Sequence, residues 1–126
     1  MQIEILGRPI PAVRMTGRGK YVKENAQKYL SYKEQIAWTA RMVVKSPTRS
    51  KMAVKVRVYL HGVEDMGMDG DVDNYLKSAL DGCNKIIWLD DRQIVDAHVT
   101  KVRCEKGRER MEIEYWEANN KCPNHA

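Results

Sequence analysis

Along the chain, hydrophobic positions alternate at period two in four stretches and recur at helical spacing in two others. From Met1 to Leu6, Ile3 and Ile5 alternate with polar neighbours, which predicts a short strand broken by Gly7, Pro9 and Pro11. From Asn25 to Val44, Tyr29, Ile36 and Val43 recur at heptad spacing, and Ala26, Leu30, Ala37, Ala40 and Val44 widen that stripe. This predicts a long helix with Asn25 as its N-cap and with Tyr29 and Trp38 as packing residues. Ser46-Pro47-Thr48-Arg49-Ser50 ends it. Lys51 to His61 carries Val54, Val56, Val58 and Leu60 on one face, the clearest strand in the sequence, and it is expected to be central.

The second helical stretch begins at Asp71. Val72, Leu76, Ala79, Leu80 and Cys83 form its apolar stripe, and the helix is expected to end between Gly82 and Lys85. Ile86-Ile87-Trp88-Leu89 and then Asp90-Asp91 follow. Gln93 to Arg103 reads as a strand, with Val95, Ala97 and Val99 in phase. A turn at Glu105–Arg108 then returns Glu109 to Trp116 as its partner strand. The predicted fold is α/β (α+β): a small mixed sheet of about four strands with two main helices packed on it, in the order β-α-β-α-β-β. One domain over residues 1–126 is expected, with a loosely ordered tail from about 117 to 126.

Charge sharpens the picture. The net charge is +5, but residues 1–57 hold 13 Lys/Arg against 3 Asp/Glu, whereas residues 58–100 hold 3 against 9. A basic flank beside an acidic centre fits an enzyme that grips a polyanion and places a metal on it; it also fits a merely soluble basic protein. Arg14, Arg18, Lys20 and Lys23, in a Gly-containing segment near Tyr21, fit either an ordinary hairpin loop or a flap that contacts a phosphate backbone. No apolar run is long enough to span a bilayer, and the start of the chain lacks the apolar core of a signal peptide. Cys83, Cys104 and Cys122 form no C-x-x-C, so a reducing cytoplasm is expected.

The acids supply the candidate chemistry. Inside one helix Asp71 and Asp73 would point about 200° apart. They converge only if Asp71 sits at the N-cap in extended geometry and Asp73 in the first turn. A purely structural role is open to both: Asp71 capping, Asp73 complementing the helix dipole and pairing with Lys77 at i,i+4. If the helix and a short return bring Asp90 and Asp91 beside that start, three or four carboxylates share one small volume and need a counter-cation. Hard oxygen donors select Mg²⁺ or Mn²⁺, which would acidify a bound water and shield a scissile phosphate. Lys77 could then stabilise the developing charge. Asp69, Asp71 and Asp73 have the spacing of a calcium loop, but Asn74 stands where Gly is needed and Leu80 where Glu is needed. Cys122 and His125 offer only two ligands to zinc.

The run Gly70-Asp71-Val-Asp73-Asn74-Tyr-Leu-Lys77-Ser-Ala-Leu-Asp81-Gly82, followed by Trp88-Leu89-Asp90-Asp91-Arg-Gln-Ile-Val-Asp96, resembles the RusA family of Holliday-junction resolvases. The resemblance is strongest over residues 50–115. It implies a small homodimeric endodeoxyribonuclease, Mg²⁺-dependent with Mn²⁺ as substitute, that resolves four-way DNA junctions by paired symmetric nicks. Position by position it implies Asp71, Asp73 and Asp91 as catalytic metal-binding carboxylates, Lys77 as the essential lysine and Asp90 as a supporting ligand. Some family members carry an Arg run before the first motif Asp. Here that place is Met66-Gly-Met-Asp69-Gly70, so DNA contacts are expected from Arg14, Arg18, Lys20 and Lys23 instead. A two-fold dimer would supply the two cuts, and the apolar stripe of the acidic helix is the expected interface. The competing readings are a non-catalytic DNA-binding module and a nuclease of broader branched or flap specificity.

Overall fold

The computed structural model describes residues 1–13, 20–62 and 70–118, with residues 20–24 as backbone only. The elements are β1 (Gln2–Leu6), α1 (Lys20–Val43), β2 (Met52–Leu60), α2 (Val72–Cys83), β3 (Ile94–Arg103) and β4 (Arg110–Glu117). A single 3-10 turn, Asp91–Gln93, precedes β3. The element order and the four-stranded mixed sheet are those predicted.

Strands lie in the order β1-β4-β2-β3. Val54, Val56, Val58 and Leu60 of β2 are wholly buried, which is why this strand takes a central place. β3 pairs with it in parallel, and parallel neighbours need a crossover, which α2 supplies. The expected pairing of the last two strands is corrected: β4 crosses to the far side of β2, antiparallel to it, and also pairs with β1. Its register explains the choice. Tyr115, Ile113 and Met111 lie opposite Val54, Val56 and Val58, extending one apolar row, whereas β3 brings Ala97, Val99 and Lys101 and suits an edge. A register shift at Met52/Ala53 sets Ile94 opposite Met52 and Asp96 opposite Ala53. Val95 is thus the extra residue of a bulge, exposed and out of phase with Ala97 and Val99, contrary to the alternation expected.

Both helices cover the face lined by Ile3, Ile5, Val56 and Ile113. The opposite face carries a ladder of charge. Arg110 meets Glu4 at 3.4 Å and Glu112 at 3.1 Å, and Arg57 meets Glu112 at 3.8 Å and Glu114 at 3.5 Å. The Arg110 guanidinium lies 3.7 Å over the Tyr59 ring, whose hydroxyl donates to Glu112. That face is nearly charge-balanced and carries no surplus of cations.

α1 starts five residues before the expected Asn25, which therefore lies inside the helix rather than capping it. Tyr29 is buried as expected, but Trp38 is exposed, because the covered stripe runs through Tyr29, Tyr32, Ile36 and Ala40. β4 runs through Glu117, and Ala118 N–H donates to Lys51 O at 2.8 Å, so the paired structure reaches past the start of the expected tail. Residues 119–126, including Cys122 and His125, lie outside the described residues.

Two contacts fix α2. Its partner α1 comes so close that a Cβ on Gly82 would stand 2.5 Å from Ile36 Cγ2. On its other flank the proline-containing segment docks: Ser78 Oγ donates to Ile10 O at 2.7 Å, and Ala12 N–H to Asn74 O at 3.0 Å. Gly82→Ala is expected to destabilise the fold by about 1–3 kcal/mol, the usual cost of overpacking a tight contact. Urea unfolding measures it, and an unchanged midpoint would mean that the helices adjust freely.

Candidate active site

α2 opens as the two acids require. Asp71 is the N-cap in extended geometry (φ −82°, ψ 150°), and Asp73 lies in the first turn. The Asp71 carbonyl starts the helix by accepting from Asn74 N–H and Tyr75 N–H. Its side chain makes no capping hydrogen bond, so the carboxylate is not consumed by the helix end. Gly70 enters at φ +132°, and a Cβ there would also lie 3.1 Å from Pro11 Cγ. Glycine thus permits both the turn and the close approach.

Farther along α2 a second group assembles. Lys77 Nζ lies 3.2 Å from Asp81 Oδ2, not paired with Asp73 as the purely structural reading had it: the lysine turns toward the helix C-terminus. The same Asp81 oxygen accepts from the Tyr29 hydroxyl of α1. Asp91 arrives from the turn after α2, and the indole N–H of wholly buried Trp88 donates to its Oδ1 at 2.9 Å.

The neighbouring acid has a different task. Asp90 caps the turn that carries Asp91: its Oδ1 accepts from Arg92 N–H at 2.9 Å, and its own N–H donates to Gln93 Oε1 at 2.9 Å. Gln93 in turn donates to Thr48 O and Ser50 O, tying the turn to the chain entering β2. The Arg92 N–H bond holds the Asp90 carboxyl below the usual carboxylate range.

Burial pushes the Asp91 carboxyl up, and the charges of Asp81 and Asp90 push it further, while the Trp88 indole and the Lys77 ammonium pull the other way. The Tyr29 phenol is driven up by burial, then by its bond to Asp81 and by the Asp81 and Asp91 charges. Burial likewise drives up the Cys83 thiol, with the Asp91 charge adding to it. Asp91 is thus the common source of negative potential beneath α2.

Asp91, Asp81, Lys77 and Tyr29 form one neighbourhood, with Asp71 and Asp73 at the N-terminal end of the same helix. Asp73 and Asp81 are eight residues apart, about 12 Å along the axis. Among the described residues no three His, Cys, Asp or Glu side chains close into a group that could hold a metal. The donors nevertheless fit a hard divalent cation in kind: they are carboxylates, the Asp71 oxygens are not used as a cap, and Asp91 is crowded by like charge that a cation would relieve. Arg14, Arg18, Asp69 and the side chains of Lys20 and Lys23 lie outside the described residues. Asp81 and Tyr29 were not among the predicted site residues. The i,i+4 spacing of Lys77 and Asp81 was a visible signal for the first; nothing local to Tyr29 distinguishes it from a packing residue.

The crossover helix of a small α+β sheet thus carries Asp71, Asp73, Lys77 and Asp81, with Asp91 in the turn that follows it. The family described as Endodeoxyribonuclease RusA matches residues 4–114, and the chain belongs to that family. Relatives named Crossover junction endodeoxyribonuclease RusA, from Escherichia coli strain K12, E. coli O1:K1 / APEC and Shigella sonnei strain Ss046, are 39% identical over 70 residues. That match covers 55% of this chain and 56% of each relative, so the chain spans about half the length of the curated relatives it matches.

Because the folded state raises the Asp91 pKa, it binds more protons than the unfolded chain between the ordinary and the raised value, and stability there falls as pH rises. Asp91→Asn is therefore expected to raise the melting temperature at neutral pH. The gain should shrink as pH drops to the ordinary carboxylate range of about 4. Thermal scans from pH 3 to 7 check this, and a variant less stable than wild type at neutral pH would contradict it.

Proposed function

We propose that this chain is a Mg²⁺-dependent endodeoxyribonuclease that resolves four-way DNA junctions by paired symmetric nicks. Family membership supports the reading, and so does the observation that carries it: a helix opened by Asp71 and Asp73 carries Lys77, paired with Asp81 and within electrostatic reach of Asp91 in the turn that follows. Asp71, Asp73 and Asp91 would hold the ion, with Mn²⁺ as a substitute, and Asp90 acts through the turn it caps. When bound, Mg²⁺ supplies an acidified water and shields charge on the phosphate.

The chain's own groups do the rest. The Trp88 indole fixes the orientation of Asp91. Lys77 stabilises negative charge developing on the phosphoryl oxygens. The basic N-terminal half, through Arg14, Arg18, Lys20 and Lys23, holds the DNA backbone without reading bases. Two nicks related by symmetry need two sites, and a homodimer supplies them. The α2 stripe expected at its interface is largely spent within the protomer, where Ala79 and Cys83 are buried, so another surface would serve. Among the described residues no helix is long and apolar enough to cross a membrane, and a cytoplasmic enzyme acting on branched DNA fits the thiol-bearing composition.

A synthetic mobile four-way junction, incubated with Mg²⁺ beside linear duplex and flap controls, tests the proposal. Symmetric nicks in the junction alone are expected, and flap cutting at a similar rate would favour the broader nuclease. Asp73→Asn is expected to abolish cutting while junction binding survives or tightens, because one charge repelling the backbone is gone. Tight junction binding in EDTA with no cutting under any metal would favour the binding module. Binding should weaken steeply as salt rises.

A further inference from the structure

We infer that Asp81, anchored across the helix interface by Tyr29, is the positioning residue that aims the Lys77 ammonium at the reacting phosphate. The inference rests on the nuclease reading above and adds to it two residues to which the family resemblance assigns no role. Lys77 is a long side chain, 62% exposed and rich in rotamers, whereas Asp81 is only 21% exposed. A flexible ammonium gives little transition-state stabilisation unless its geometry is fixed before the reaction. Asp81 Oδ2 is the fixed point, because it accepts from Lys77 and from the Tyr29 hydroxyl at once.

The Tyr29 ring is itself buried on α1, and α1 is locked against α2 where Ile36 meets Gly82. The orientation of Lys77 is thus inherited from the packing of two helices, not from solvent-exposed pairing alone. An isolated exposed i,i+4 pair contributes little and would not hold the lysine. The third group, the buried hydroxyl, is what distinguishes this arrangement from a surface ion pair. The charge of Asp91, in the turn after α2, acts on the same neighbourhood.

Asp81→Asn keeps shape and loses charge; Tyr29→Phe keeps the ring and loses the anchor. Each is expected to slow single-turnover junction cleavage by about 10- to 100-fold, the usual effect of removing a group that orients a catalytic one. Junction affinity should change less than about three-fold, since the phosphate-gripping residues are untouched. Asp81→Glu should recover part of the rate. The decisive comparison is a double-mutant cycle. Once Lys77→Ala is present, Asp81→Asn should cost almost nothing more, because the residue it aims is gone.

A second readout needs no cleavage. The NMR order parameter of the Lys77 ε-methylene should fall in Asp81→Asn and in Tyr29→Phe, with the rest of α2 unchanged. Wild-type cleavage by Asp81→Asn, full additivity with Lys77→Ala, or an unchanged Lys77 order parameter would each overturn the inference. A wild-type chain that cuts no junction would instead overturn the nuclease reading, and the order parameters would still decide whether Asp81 holds Lys77.

Discussion

Lys77 pairs with Asp81 at 3.2 Å and lies within electrostatic reach of the half-buried Asp91, so two acids and one cation crowd the edge where α2 returns to the sheet. Asp91 is half-buried and is fixed by Trp88, so it cannot swing out to water without losing a hydrogen bond. Its ionised form is unfavourable where it stands. A protein tolerates such a group when something else restores the balance, and a divalent cation is the strongest such partner. Marginal stability makes even a modest penalty of this kind noticeable.

The fold serves that placement. The β2-α2-β3 crossover carries α2 over the sheet and brings Asp91 back beneath it through the buried run containing Ile87 and Trp88. Gly82 lets α1 approach closely enough for Tyr29 to reach Asp81. Gly70, Pro11 and Ala12 pin the opposite end of α2, where Asp71 and Asp73 begin the helix. Meanwhile the outward face of the sheet balances its own charges through Arg57, Arg110 and their glutamates, which leaves the helix side as the place where charge is uneven.

Much of this could be read in the sequence, and the reasons are specific. Ile3 and Ile5, the valines of β2, and the α2 stripe each repeat with one period, so strand, strand and helix were plain. The N-cap geometry of Asp71 followed from the angle between its carboxylate and that of Asp73. What failed was non-local. A turn at Glu105–Arg108 suggests a hairpin, but the pairing of β4 was decided by the apolar row of β2, far away in the chain. Asn25 looks like a cap only if the basic segment before it is not helical. The Val95 bulge leaves no mark in an alternating pattern. Lys77 had two acids at i,i+4 spacing, Asp73 behind it and Asp81 ahead, and sequence could not choose between them; the Tyr29 hydroxyl on the Asp81 side did.

Under the proposed function, a divalent cation joins the α2 N-terminus to the turn at Asp91. The most direct measurement is anomalous diffraction from a crystal soaked in Mn²⁺. A peak bounded by the carboxylates of Asp71, Asp73 and Asp91 is expected, with the helix start drawn toward the turn. No peak at occupancies that saturate cleavage, or a peak that touches none of the three, would contradict it.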